Sequence, residues 1–193
     1  MIRLALSSEG PDTAPCGTLV VGMLAGERPP KGEAGWVDWR LGGALSRAIL
    51  AGRVDGAAGS CVLMPAKKLP CARILVMGLG HPTEAKGRAL GAAIDLAREK
   101  LAGLGETDFA IALPGDKPTG VPKDAAETIG RHLLIPLAAA ARQAKITLLG
   151  PTELLNDVRE WVRNAGDPVS THVVLADRVG NEIPAARPGE AGA

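Results

Sequence analysis

A three-layer α/β/α domain with a mixed central sheet is what this sequence predicts, and three observations predict it. Short aliphatic and β-branched runs recur along the chain, amphipathic stretches with helical spacing separate them, and Gly- and Pro-rich loops punctuate the alternation without pooling into one low-complexity stretch. With 193 residues, of which 46% are hydrophobic and 22% charged, the chain has the size and apolar content of one domain that can bury a core.

Ile2 to Leu6 reads as a short strand, and Thr18 to Met23 (TLVVGM) as a strand buried on both faces, because its apolar run is continuous and not alternating. From Asp38 onward Leu41, Ala44, Leu45, Ala48 and Ile49 recur at helical spacing, which predicts one short helix ending near Gly52. Ser60 to Met64 (SCVLM) and Arg73 to Gly78 (RILVMG) are two further strands, and the segment Pro65 to Ala72 between them fits either an open hairpin or a displaced parallel pairing. Leu90, Ile94, Ala97, Leu101 and Leu104 form the stripe of the clearest helix, with Pro82 and Thr83 at its start. Phe109 to Leu113 (FAIAL) is a strand. Pro122 then opens a long helix, which Pro136 should kink or split, because a missing N–H and a ring clash cost about 3 kcal/mol inside a helix. Lys145 to Leu149 (KITLL) is a strand, and Pro151 starts a helix with the stripe Leu154, Leu155, Val158, Trp161 and Val162. Thr171 to Ala176 (THVVLA) adds a late edge strand. The domain is thus expected over residues 1–176, and the aperiodic tail 177–193 is expected to be disordered.

Composition narrows the function. A formal charge of +1 gives no excess that would point to nucleic acid, a membrane surface or a polyanionic partner. One Phe, three Trp and no Tyr leave few rings on which to stack bases, which argues further against single-stranded nucleic acid. Cys16, Cys61 and Cys71 are odd in number, form no CxxC pair and follow no secretory leader, a pattern that fits a reducing cytoplasm and not a disulfide framework or zinc ribbon. The N-terminal apolar run is too short for a signal peptide, and the longest uncharged apolar stretch, Leu133 to Ala141, falls far below a membrane span. A cytoplasmic protein free of the membrane is expected.

No catalytic residue is assigned, because His81, His132 and His172 are dispersed, with no GxSxG elbow and no Cys/His signature near them. His81 follows a strand in Gly78-Leu79-Gly80-His81-Pro82, where an ordinary loop residue is the commoner reading. Neither an HExxH motif nor clustered carboxylates mark a metal site, and no GxGxxG stands between a strand and a helix, so no cofactor is expected. Lys67-Lys68 beside Arg73 reads as a solvated loop. Two glycine loops remain, Leu41-Gly42-Gly43-Ala44-Leu45 and Thr119-Gly120-Val121-Pro122. Glycine before a helix lets backbone N–H groups converge on a phosphate, which makes Gly42, Gly43, Thr119, Gly120 and Val121 the candidate ligand-binding residues. A glycine-permitted turn is the alternative for each loop.

Several phrases in order carry a resemblance. The helix start Leu41-Gly42-Gly43-Ala44-Leu45-Ser46-Arg47, the strand Gly59-Ser60-Cys61-Val62-Leu63-Met64-Pro65, and Arg73-Ile74-Leu75-Val76-Met77-Gly78-Leu79-Gly80 resemble the N-terminal domain of the leucyl aminopeptidase family over roughly Thr18 to Leu113. The resemblance implies a macro-like fold. Pro65 to Pro70 (PAKKLP) and Leu113 to Glu127 (LPGDKPTGVPKDAAE) are similar, more distantly, to macrodomain phrases, the second of which holds a phosphate loop there. In this sequence that loop is shorter, since Val121 runs straight into Pro122, and Val20-Val21-Gly22-Met23-Leu24 stands where macrodomains carry an Asn motif. The family's two-metal peptidase half finds no counterpart in these residues. What the resemblance implies is therefore a non-catalytic interaction, oligomerisation or regulatory module, acting by self-association or with a protein partner. The alternative it implies is a small-ligand module that holds a nucleotide or an ADP-ribose-type phosphate between the two glycine loops.

Overall fold

The computed structural model describes residues 1–81, 88–112 and 124–176. In chain order the strands are β1 Ile2–Ser7, β2 Cys16–Met23, β3 Cys61–Pro65, β4 Cys71–Gly78, β5 Asp108–Ala112, β6 Ala144–Leu149 and β7 Val173–Ala176. The helices are α1 Gly32–Arg40, α2 Ala44–Leu50, α3 Arg88–Gly103, α4 Ala125–Ile129, α5 Ile135–Ala139, α6 Thr152–Asn164 and α7 Val169–His172. A 3-10 turn covers Pro11–Thr13, and a π-helical stretch, Gly130–Leu134, joins α4 to α5.

The strands make one sheet in the order β3-β4-β2-β5-β6-β1-β7. Every pairing is parallel except β3 with β4, which is antiparallel, with Leu63 opposite Leu75. This decides between the two connections the sequence left open: β3 and β4 form a hairpin whose turn is residues 66–70, and the sheet is mixed as expected. Continuous apolar runs occupy the middle because both faces are covered. Along β2, β4 and β5 alternate residues go to opposite cores. Val20, Leu75, Met77, Phe109 and Ile111 pack with α3 to α7. Leu19, Val21, Ile74, Val76 and Ala110 pack with α1 and α2. The three layers follow.

Three local expectations needed correction. The helix read from Asp38 to Gly52 is two helices, because Gly42 and Gly43 take φ of 63° and 78°, left-handed values that end α1 before α2 begins. The late strand starts at Val173, since Thr171 and His172 belong to α7. Pro136 does interrupt its helix, through a π stretch just before it. Pro136 has no N–H to give the carbonyl of His132 four residues back, and Arg98 Nε of α3 donates to that carbonyl at 3.2 Å. The helix start at Pro82-Thr83, Leu113, the opening at Pro122 and the tail 177–193 lie outside the described residues.

Candidate functional site

In a sheet of this kind ligands bind beyond the carboxyl ends of the parallel strands. Above β2 and β4 that space is filled by backbone. Leu79 N–H donates to Met23 O at 2.9 Å, Ala25 N–H to Gly80 O at 2.9 Å and Gly80 N–H to Gly56 O at 3.0 Å. A Cβ on Gly56 would collide with Leu24 O, and one on Gly78 with Ala57 O, so these glycines are what let the loops close over the strand ends. His81 lies exposed beside them.

Gly42 and Gly43 sit at the α1–α2 junction and line a shallow groove of about 620 Å³ with Pro29, Pro30, Lys31 and Trp39. Their N–H groups have partners within the chain. Gly42 donates to Trp39 O at 3.0 Å and Gly43 to Asp38 O at 2.8 Å, while Leu41 donates to Val37 O at 2.9 Å, so all three satisfy the last carbonyls of α1. Asp38, which also lines the groove, is buried, and its carboxylate accepts from Ser46 N–H at 2.9 Å and Ser46 Oγ at 2.6 Å, at the first turn of α2. The chain supplies its own anion there. Arg47 Nη1 donates to Gly42 O at 2.8 Å, which adds a cation at the rim. Thr119, Gly120 and Val121 lie outside the described residues.

The outward face of α1 carries a cluster that the sequence reading missed. Trp36 and Trp39 are 44% and 65% exposed, their ring centroids are 5.3 Å apart, and the Arg40 guanidinium lies 5.6 Å from one and 5.0 Å from the other. Asp12 accepts from Trp36 Nε1 at 2.8 Å and forms an ion pair with Arg40. The Trp36 hydrogen bond first, and Arg40 with it, hold the Asp12 carboxyl below the usual carboxylate range, against a smaller upward pull from burial. The rings are thereby fixed in place while their faces stay in water. The signal was present in the sequence as two of its three Trp three residues apart.

A second polar cluster holds the opposite layer. His132 Nδ1 lies 2.8 Å from Asp95, and a Cβ on Gly91 would come within 2.6 Å of His132 Nε2, so Gly91 makes the room this imidazole occupies. Burial raises the Asp95 carboxyl, but hydrogen bonds from His132 and Arg98 outweigh it and bring it below its ordinary value. This pair ties the π stretch to α3. Among the described residues no group of three or more His, Cys, Asp or Glu could hold a metal ion, and no helix is long and apolar enough to cross a membrane.

Comparison with known proteins follows the same lines. The model of the cytosol aminopeptidase family, N-terminal domain, matches residues 20–133. A probable cytosol aminopeptidase of Pseudomonas syringae pv. syringae is 34% identical over 113 residues, which are 58% of this chain and 23% of that protein. The chain thus spans less than a quarter of that relative's length. Among solved structures, a tomato leucine aminopeptidase variant superposes with a TM-score of 0.54 at 17% identity, covering 84% of this chain and 36% of that one. The Trypanosoma brucei macrodomain in complex with ADP gives a TM-score of 0.65 at 16% identity over 82% of this chain and 68% of that one. The fold is macro-like.

Proposed function

The chain belongs to the cytosol aminopeptidase family through its N-terminal domain, and from that premise we propose that this domain works by protein contact, with the outward face of α1 as its docking surface and self-association as its first use. The observation that carries the reading is the exposed pair Trp36 and Trp39, braced by Arg40 and Asp12. Trp and Arg are the residue types that dominate binding energy at interfaces, and rings already held in position lose little freedom on docking. A single exposed Leu or Trp needs no explanation, but two indoles in tilted contact in a chain with three do.

Phosphate binding beside Gly42 and Gly43, completed by Thr119, Gly120 and Val121, is the second reading. The groove with Lys31 at its edge favours it, as does the likeness to a macrodomain that holds ADP. The carboxylate of Asp38 in that groove, and the N–H groups of Gly42 and Gly43 turned to α1 carbonyls, weigh against tight binding. Two measurements separate the readings. In sedimentation the protein is expected to associate with rising concentration, and Trp39→Ala to weaken that association at least about tenfold, roughly 1.4 kcal/mol. In calorimetry ADP-ribose is expected to bind more weakly than about 100 µM. A monomer at every concentration, together with tight ADP-ribose binding lost in Gly43→Glu, would replace the docking reading with the ligand reading.

A further inference from the structure

The spacing of the three cysteines predicts no disulfide framework, yet the fold brings two of them together. Cys16 opens β2 and Cys71 opens β4, and the two are register partners in the parallel pair. Neighbouring strands lie about 4.8 Å apart, inside the roughly 4.4–6.8 Å that a disulfide accepts between Cα atoms. Both side chains pack at the margin of the core under α1 and α2, and both residues are half-buried. Cys61 packs against the other core, across the sheet. Cys16 N–H donates to Pro70 O at 3.2 Å, so the backbone pairing of the two strands extends to this end.

We propose that Cys16 and Cys71 form a reversible intramolecular disulfide, a redox modification site at the amino ends of the two central strands. The pair is electrostatically polarised for this. The interaction between the two thiols draws Cys71 below the ordinary thiol range and, with burial, pushes Cys16 upward. Cys71 is the attacking sulfur and Cys16 the resolving one. With hydrogen peroxide as oxidant, the Cys71 thiolate attacks one peroxide oxygen, the O–O bond breaks, and the departing hydroxide takes up a proton to leave as water. Cys71 is then a sulfenic acid. The Cys16 sulfur attacks the Cys71 sulfur, the S–O bond breaks, and a second water departs with the Cys16 proton. Two thiols have lost two electrons and one peroxide has become two waters. The bridge encloses residues 17–70, which carry both α1 and α2, so oxidation staples the two ends of the docking layer to one point of the sheet. A dithiol reductant reverses it.

The test uses the full chain, reduced and freed of reductant, then treated with peroxide. Titratable thiols under denaturing conditions are expected to fall from three to one, peptide mapping to find Cys16 joined to Cys71, and dithiothreitol to restore all three. Cys61→Ser should form the same link. Cys16→Ser should stop at a Cys71 sulfenic acid that dimedone traps, a readout that a merely packed cysteine does not give. A link that involves Cys61, links only between chains, or Cys16 and Cys71 both still reduced after Cys61 has oxidised would each overturn the proposal.

Discussion

On one face of the sheet, α3 to α7 bury Leu101, Ile129, Leu133, Leu134 and Val158 and lay the indole of Trp161 against Gly130, where a Cβ would overlap the ring. On the other face, α1 and α2 bury Ala34, Val37, Leu45 and Ile49 and leave Trp36, Trp39 and Leu50 outside. The same residue type therefore serves packing in one layer and faces water in the other. Burying a Trp removes on the order of 150–250 Å² from solvent, so a layer that leaves two of them out has hydrophobic free energy still available to a partner. The difference teaches where stability and where binding reside in this fold. Substitutions can break that division or sharpen it.

The largest contrast should come from Leu134→Ala against Trp39→Ala. Leu134 is fully buried in the thicker layer, and its truncation should cost about 3 kcal/mol, between the lost transfer energy and the cavity left behind. Trp39→Ala should cost less than about 1 kcal/mol, since it removes only one tilted ring contact and one exposed cation–π contact. Urea denaturation of the two variants checks both values. A Trp39→Ala loss as large as that of Leu134→Ala would mean that the exposed indole is part of the core after all.

A smaller effect is expected within the thinner layer. Asp38→Ala removes the carboxylate that accepts from Ser46 at the start of α2, which should cost about 1 kcal/mol as the loss of a helix cap. Hydrogen exchange should quicken for the α2 amides and leave those of α3 and α6 unchanged. Equal quickening in both layers would show that the layers unfold as one unit at this level and that the comparison does not extend to local stability.

The thicker layer was also the easier one to read. The run TLVVGM announces a strand buried on both faces and RILVMG a further strand, and the stripe Leu90, Ile94, Ala97, Leu101 sits on α3 as its spacing says. Leu104, counted with that stripe, lies past the helix end and is exposed. The first helix escaped because its pattern is inverted. Its indoles point outward and its buried positions are Ala34, Val37 and a carboxylate, Asp38, so hydrophobic periodicity marks no inward stripe. Gly32 and Gly35 hid it further. Gly35 packs so near the Pro30 carbonyl that a Cβ would fall 2.6 Å from it, a tertiary reason for a residue that reads locally as a helix breaker. Of the candidate ligand residues, Gly42 and Gly43 were found at a helix start as read, but the partners of their N–H groups come from α1, a helix the sequence did not reveal. The pairing of Cys16 with Cys71 depends on strand register alone, which no local pattern encodes.

The smallest effect concerns the charge that holds the aromatic face. The folded Asp12 carboxyl lies below its ordinary value, first through the Trp36 indole N–H and then through Arg40. A carboxyl depressed in this way binds its proton less readily folded than unfolded. Its stabilisation is therefore complete above the unfolded value near pH 4 and disappears as pH falls through the folded value. Asp12→Asn keeps the shape and removes the charge, so the difference between it and the parent isolates this one group from every other carboxyl that titrates in acid. At pH 7 the parent should be the more stable by less than about 1 kcal/mol, because Arg40 is partly exposed and water screens the pair. As pH falls through the depressed folded value the gap should close. Raising salt at pH 7 should narrow it as well, since an exposed pair is screened. A gap of the same size at pH 2 and pH 7 would show that the amide's poorer hydrogen bonding to Trp36, and not the carboxylate charge, sets the difference. The rings of the docking face would then be held by geometry alone.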